Sequence, residues 1–463
     1  MRAFLRMFQH YAAGSFLWVA ILGAAITQAA EADAPRVLTR VFFQDDDAGV
    51  IRWADVLWGQ PPTLGTVSPV AGFPKLDSER QTLVQMRAAG GMLLVGVRDD
   101  SGGTFQSGWV LIDSGVRQEL HGDHSHWTYP EAPRVRTSAL DEKQGNPAHV
   151  YCYENVFYVA NDRLNGYTRL DPAAVTAQDT AEKIRRRAAL HQGGGNHITL
   201  AVSGQFGFSA WIDREGENRG RVDVTALKAS GNSRIASSFQ LPLGGIHGAI
   251  ANQGKVFFAP SDGICWVTAN NAPDVKASAI RHLSLGKNDE MPRRTGAFAS
   301  LGRYVGFVAG AGDDATLGLI DAARADPAIV QLSLEMADGN RPAGLAMAVS
   351  RGGKPLAFVF HDHAQDVEAP DQLSIVELDP NGDKDFADAN IAAVIAVGRA
   401  RVEGHSGHHS LDLDADRRRA VLANPGDGTL AIISLAERKI EREFNVGSSP
   451  SSIVCVGGRQ VSD

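Results

Sequence analysis

The chemistry of this 463-residue chain is concentrated in one short word. His121, Gly122, Asp123, His124, Ser125 and His126 place three of its fourteen histidines beside a carboxylate. His is a poor turn former compared with Gly, Asn, Asp or Ser, so an ordinary solvated loop gives no reason for such a cluster. Metal binding does. Imidazole suits zinc, copper and nickel, whereas a single carboxylate fits zinc and argues against an all-oxygen calcium or magnesium site. In an extended segment His124 and His126 point the same way, and one ion can be gripped by both. A surface cluster without a ligand is the competing reading of the word alone, so the rest of the chain has to decide.

The elements that position these residues follow from a repeat. Short apolar strand signals recur, and the segment leading into each starts with a comparable word: Pro147-Ala148-His149, Gly195-Asn196-His197, Gly245-Ile246-His247, Arg294-Thr295-Gly296, Pro342-Ala343-Gly344 and Gly407-His408-His409. The first five anchors stand 48 to 50 residues apart. A period near fifty filled with short strands and Gly- or Asp-rich turns predicts an all-β fold, a β-propeller of four-stranded blades. Two further blades fit before His149, over residues 37–68 and 82–138. The last segment, 449–457, is a lone strand, which predicts closure of the ring by pairing with the N-terminal blade. Counting gives eight blades, with seven as the alternative. The only convincing helical stretch after the N-terminus lies at 181–190.

Arg2 and Arg6 precede an apolar run at 12–26 and the small residues Thr27-Gln28-Ala29-Ala30, which reads as a secretory signal peptide over residues 1–30. The run is too short for a lasting anchor. One propeller domain is expected over 31–463, exported to a bacterial periplasm or the cell exterior. Cys152, Cys265 and Cys455 are widely spaced, odd in number and set in apolar strand-like runs, so they read as buried free thiols. The formal charge of −8 without a basic cluster argues against nucleic acid or anionic membrane as partners.

In a propeller the innermost strands line a central channel, and their first residues converge at one mouth. His149, His197, His247 and His409 share that repeat position and are predicted to ring it as neutral imidazole ligands. The word at 121–126 falls between the third and fourth strands of the second blade, normally on the opposite face. Either it enters the channel or there are two metal sites. The triplet His361-Asp362-His363 reads as an exposed loop, and His191 and His282 as surface residues. The alternation in Asp379, Asn381, Asp383 and Asp385 lacks the sixth-position glycine and closing glutamate of a calcium loop, so it reads as a solvated turn. No GxSxG elbow, phosphate loop or CxxCH occurs.

HGDHSH followed by an aromatic, then PAHV, GIHG, HHSLDLDADRRRAVLANPGDGTLAIISL and SSPSSIVCVGG, resembles the AztD-type periplasmic zinc metallochaperones from about Leu120 onward. HGDHSH is the most specific part. The resemblance implies a β-propeller that binds Zn2+ through histidines and hands it to the zinc-binding solute-binding protein of an ABC importer. It carries over His121, Asp123, His124 and His126 as motif positions. The alternative is a metal-dependent propeller hydrolase or lactonase, in which a metal-bound water attacks and a carboxylate such as Asp123 is the general base. A binding scaffold with incidental histidines is the third reading. The shared positions are His-rich and carboxylate-poor, which favours the carrier.

Overall fold

The computed structural model describes residues 36–460 apart from 102–105, 123, 229–230, 338, 364–368 and 404–406, and does not describe the side chains of His124 and Asn288. The expected signal peptide and Asp123 therefore lie outside the described residues.

Eight antiparallel sheets form a ring, as the repeat predicts. Seven are continuous in sequence, with inner strands Gln81–Ala89, Pro147–Tyr153, Thr199–Ser203, Ala249–Asn252, Ala299–Leu301, Arg341–Val349 and Ser410–Leu413 in blades 2 to 8. Blade 1 is composite. Its inner strand is the C-terminal Pro450–Val456, paired with Val37–Asp45 in a ladder that sets Val41 opposite Cys455 and Phe42 opposite Val454. The closing strand thus occupies the place a separate inner strand would fill, and the ring has no open seam.

Each blade is sandwiched between two others, so its middle strands are buried on both faces and read as near-continuous apolar runs. Gly108–Asp113 is buried at every position. Trp109, Phe257, Phe307 and Phe358 are fully buried in such strands, each contributing roughly 1.5–3 kcal/mol by removal from water. The helix covers Ala181–Arg187, capped by the Thr180 hydroxyl on the Lys183 N–H at 3.3 Å; the rest of the expected helical stretch passes into the outer strand Ala189–Gln192. All three cysteines are free, Cys265 buried and the other two half-buried. Among the described residues no helix is long and apolar enough to cross a membrane.

The inner strands run from an upper face, where they begin, to a lower face, where they end. Between them Arg87, Tyr151, Tyr153 and Asp412 surround the channel. Arg87 keeps contact with water there, yet the protein around it lowers its pKa, chiefly by burial.

Candidate metal centre

Three of the predicted histidines meet at the upper mouth. His149, His197 and His247 come from consecutive blades, and the Nε2 atoms of His149 and His197 are 3.0 Å apart. The His197 and His247 rings stack with centroids 5.0 Å apart, and His149 and His247 lie edge to face at 6.3 Å.

The surroundings fix how the rings are presented. The Nδ1 of His247 is 3.1 Å from the carbonyl oxygen of Gly296, an acceptor only, so this nitrogen carries the proton and Nε2 offers a lone pair. Gly296 is the blade-6 residue at the repeat position that lacks a histidine. A Cβ there would come within 3.3 Å of His247 Nδ1, so the missing side chain makes room for the neighbouring imidazole. His197 is placed by a tight turn in which its N–H donates to the Gly195 carbonyl at 2.8 Å. Glycine is required at 195 because a Cβ would sit 2.2 Å from the Trp211 ring. The adjacent Ile198 is held on both sides, its N–H by Asp162 at 3.0 Å and its carbonyl by the Tyr151 hydroxyl at 3.2 Å. Burial pushes the Asp162 carboxyl up to about 6, against the hydrogen bond from Ile198 and the charge of Arg98.

Gln85 completes the arrangement. Its Oε1 accepts from the Val150 N–H at 3.1 Å, which turns its NH2 towards His149 Nδ1 at 3.4 Å. That contact is long for a hydrogen bond. With the Gln85 NH2 as donor, His149 Nδ1 is the acceptor, and a proton on one of the two Nε2 atoms can bridge His149 and His197. Two imidazole nitrogens 3.0 Å apart are either bridged by such a proton or share a metal ion with bonds near ~2.0–2.1 Å. His149 and His197 thus bring two ring nitrogens close together, with the His247 ring stacked beside them.

His409 does not join them. Its ring is buried, stacked on Phe360 at 4.9 Å, with Nδ1 3.1 Å from the Ala423 carbonyl and Nε2 2.9 Å from Asp371 Oδ2. The expected four-histidine ring is a three-histidine cluster. His361 departs from expectation as well. It is buried, with Nε2 2.7 Å from the Ser374 hydroxyl. His191 is buried beside Tyr167, ring centroids 5.7 Å apart, and burial lowers its pKa to about 4. The Asp379 turn consumes its own acceptors, its carboxylate taking the N–H groups of Gly382 and Lys384.

The word at 121–126 belongs to a hairpin of two strands, Arg117–His121 and His124–Thr128, inserted between the third and fourth strands of blade 2. Gly122 takes a φ of +61° at its turn, a conformation glycine adopts without strain. Pairing sets His121 opposite His124 and Glu119 opposite His126. The His121 and His126 rings stack at 4.2 Å, and His121 Nε2 is 3.6 Å from a Glu119 carboxylate oxygen. Trp127 and Tyr129 tie the hairpin to the segment after the closing strand, where the Tyr129 hydroxyl donates to the Gly458 carbonyl at 2.6 Å. His126 and Trp127 border a cavity of about 1260 Å³ at the lower mouth, with Met347, Arg351, Asp412 and Arg418. The hairpin and the three-histidine cluster thus lie on opposite faces of the ring.

No family model matches the chain. No curated protein sequence matches it either. The structure resembles apo AztD from Citrobacter koseri with a TM-score of 0.61 at 17% identity, covering 93% of this chain and all of that one. A second Citrobacter koseri AztD structure matches at the same TM-score and identity, covering 92% and all of the respective chains. The periplasmic gluconolactonase PpgL of Pseudomonas aeruginosa aligns with a TM-score of 0.48 at 12% identity, over 91% of this chain and 99% of the other. The likeness to AztD is one of fold: the chain shares the β-propeller architecture of those structures.

Proposed function

We propose that this protein is a periplasmic zinc carrier that holds Zn2+ at the three-histidine mouth and passes it to the zinc-binding solute-binding protein of an ABC importer. The observation that carries the reading is the convergence of His149, His197 and His247, residues about fifty positions apart in sequence. The AztD-type fold and the HGDHSH resemblance support it.

Three imidazoles leave a fourth tetrahedral position open, where an acceptor ligand can attack before the last donor lets go. The paired imidazoles of the exposed hairpin are a second place to collect the ion, with Asp123 and His124 as the further motif donors. The hydrolase alternative needs a carboxylate beside a metal-bound water. Its candidate base, Asp123, belongs to the hairpin word, and that hairpin lies on the face away from the three rings.

The test is zinc content after purification and dialysis, followed by mixing with a purified zinc-binding solute-binding protein and separation of the two. The reading expects at least about one zinc per chain, a marked fall when His149, His197 and His247 are replaced by alanine, and recovery of the ion on the acceptor. A protein that takes up no transition metal, or that keeps its zinc in the presence of empty acceptor, would overturn it.

A further inference from the structure

On the upper face, between blades 7 and 8 and apart from the three rings, Asp362, Asp371 and His409 offer donor atoms that all lie within 4.8 Å of one another. His409 is buried and its Nδ1 faces the Ala423 carbonyl at 3.1 Å, so Nδ1 must carry a proton. The other nitrogen lies 2.9 Å from Asp371 Oδ2. Asp371 also accepts the N–H groups of Ala400 at 2.7 Å and His363 at 2.9 Å, so its carboxylate is held in place facing the ring. With Nδ1 already protonated, this contact is bridged either by a second proton on the ring or by a metal ion.

Asp362 distinguishes the two. Its Oδ1 is buried with no hydrogen-bond partner among the described residues, and its Oδ2 is 3.9 Å from Nδ1 of the exposed His408. A second proton on His409 would serve Asp371 and leave the enclosed Asp362 oxygen without a described partner, which is costly for a polar atom shut off from water. A divalent ion serves all three and balances both carboxylates.

We propose that Asp362, Asp371 and His409 form a second divalent-cation site of mixed oxygen and nitrogen donors, with His408 at its rim as the ligand through which an ion enters. The donor set suits a zinc-class first-row cation better than calcium, because an imidazole occupies one position. The site is independent of the carrier reading.

Two measurements test it. In crystals of the wild-type protein soaked in Zn2+, an anomalous difference map should place an ion within bonding distance of Asp362, Asp371 and His409. In solution, Asp362→Asn should remove one equivalent of Zn2+ uptake, or weaken it at least tenfold, while a protein with alanine at His121, His124, His126, His149, His197 and His247 keeps that equivalent. Density at the three-histidine mouth but not here, or unchanged stoichiometry in D362N, overturns this proposal and leaves the carrier reading standing. Density here alone does the reverse, and density at neither place defeats both.

Discussion

At the scale of single residues, the upper site depends as much on what is absent as on what is present. Gly296 lets its carbonyl approach His247 Nδ1, and the resulting hydrogen bond selects the tautomer whose Nε2 can hold an ion. Gly296→Ala forces a Cβ within 3.3 Å of that nitrogen. The ring must give way by a few tenths of an ångström and loses its orientation. The expected outcome is zinc affinity lowered by about 10–100-fold, the range seen when a partner of a ligating His is disturbed, with little change in thermal midpoint. Competition titration against a chelating dye measures the first and a melting curve the second. An unchanged affinity would mean that the His247–Gly296 contact does not orient a ligand. The sequence was informative about these histidines only up to a point. Repeat spacing locates a residue along an inner strand but not the direction of its side chain, because a one-residue step reverses the face. Bulges interrupt three of the inner strands of blades 2 to 8, between Leu83 and Met86, between Pro147 and Val150 and between Ala343 and Leu345. His409 shares the repeat position of His197 and His247 but turns to Asp371, a partner 38 residues away that no spacing rule reveals.

At the scale of elements, the hairpin separates metal chemistry from anchoring. Its first strand is exposed throughout, and the His121 and His126 rings stack on each other. Trp127 packs against the apolar cluster that includes Val454 and Val456 of the closing strand. Replacing His121 and His126 with alanine is therefore expected to leave stability within about 0.5 kcal/mol of wild type while reducing zinc uptake. Trp127→Ala is expected to cost on the order of 3 kcal/mol, the lower end for an aromatic truncation because the side chain is only half-buried. Urea unfolding of the two variants, paired with zinc content, checks both. Equal stability losses would show the histidines to be structural. The face on which the hairpin stands was legible from strand parity: a loop after a third strand leaves from the end opposite the start of the inner strand. The blades were legible for a similar reason, since every four-stranded repeat has to return the chain to the same radius. The buried positions of His191 and His361 were not, because their rings are covered by neighbouring elements whose packing no local pattern encodes.

At the scale of the whole molecule, closure links the two ends of the chain, and Asp412 sits at the seam. Its carboxylate accepts the N–H of Cys455, in the closing strand, at 2.8 Å and the N–H of Leu413 at 2.8 Å. Burial nevertheless pushes its pKa up to about 6, the backbone hydrogen bonds and Arg87 offsetting only part of the effect. The folded value therefore lies above the ordinary one of ~3.9. Below about pH 4 the group is protonated whether the chain is folded or not and contributes no pH dependence. Between about pH 4 and 6 the folded chain binds a proton that the unfolded chain has released, so this group makes stability fall as pH rises through that window. Above pH 6 the ionised carboxylate remains in the seam at a cost of at most ~3 kcal/mol, two pKa units of linkage, reduced by whatever water the channel admits. Asp412→Asn removes the titration and, at every pH, one of the two backbone acceptors. The variant should thus compare worst with wild type near pH 4.5 and recover relative to it by pH 7.5. Urea midpoints of both proteins at the two pH values measure the difference. If the gap between them does not narrow with rising pH, Asp412 is solvated well enough to ionise freely, and the closing strand is held by apolar packing and its ladder with Val37–Asp45 rather than against a buried charge.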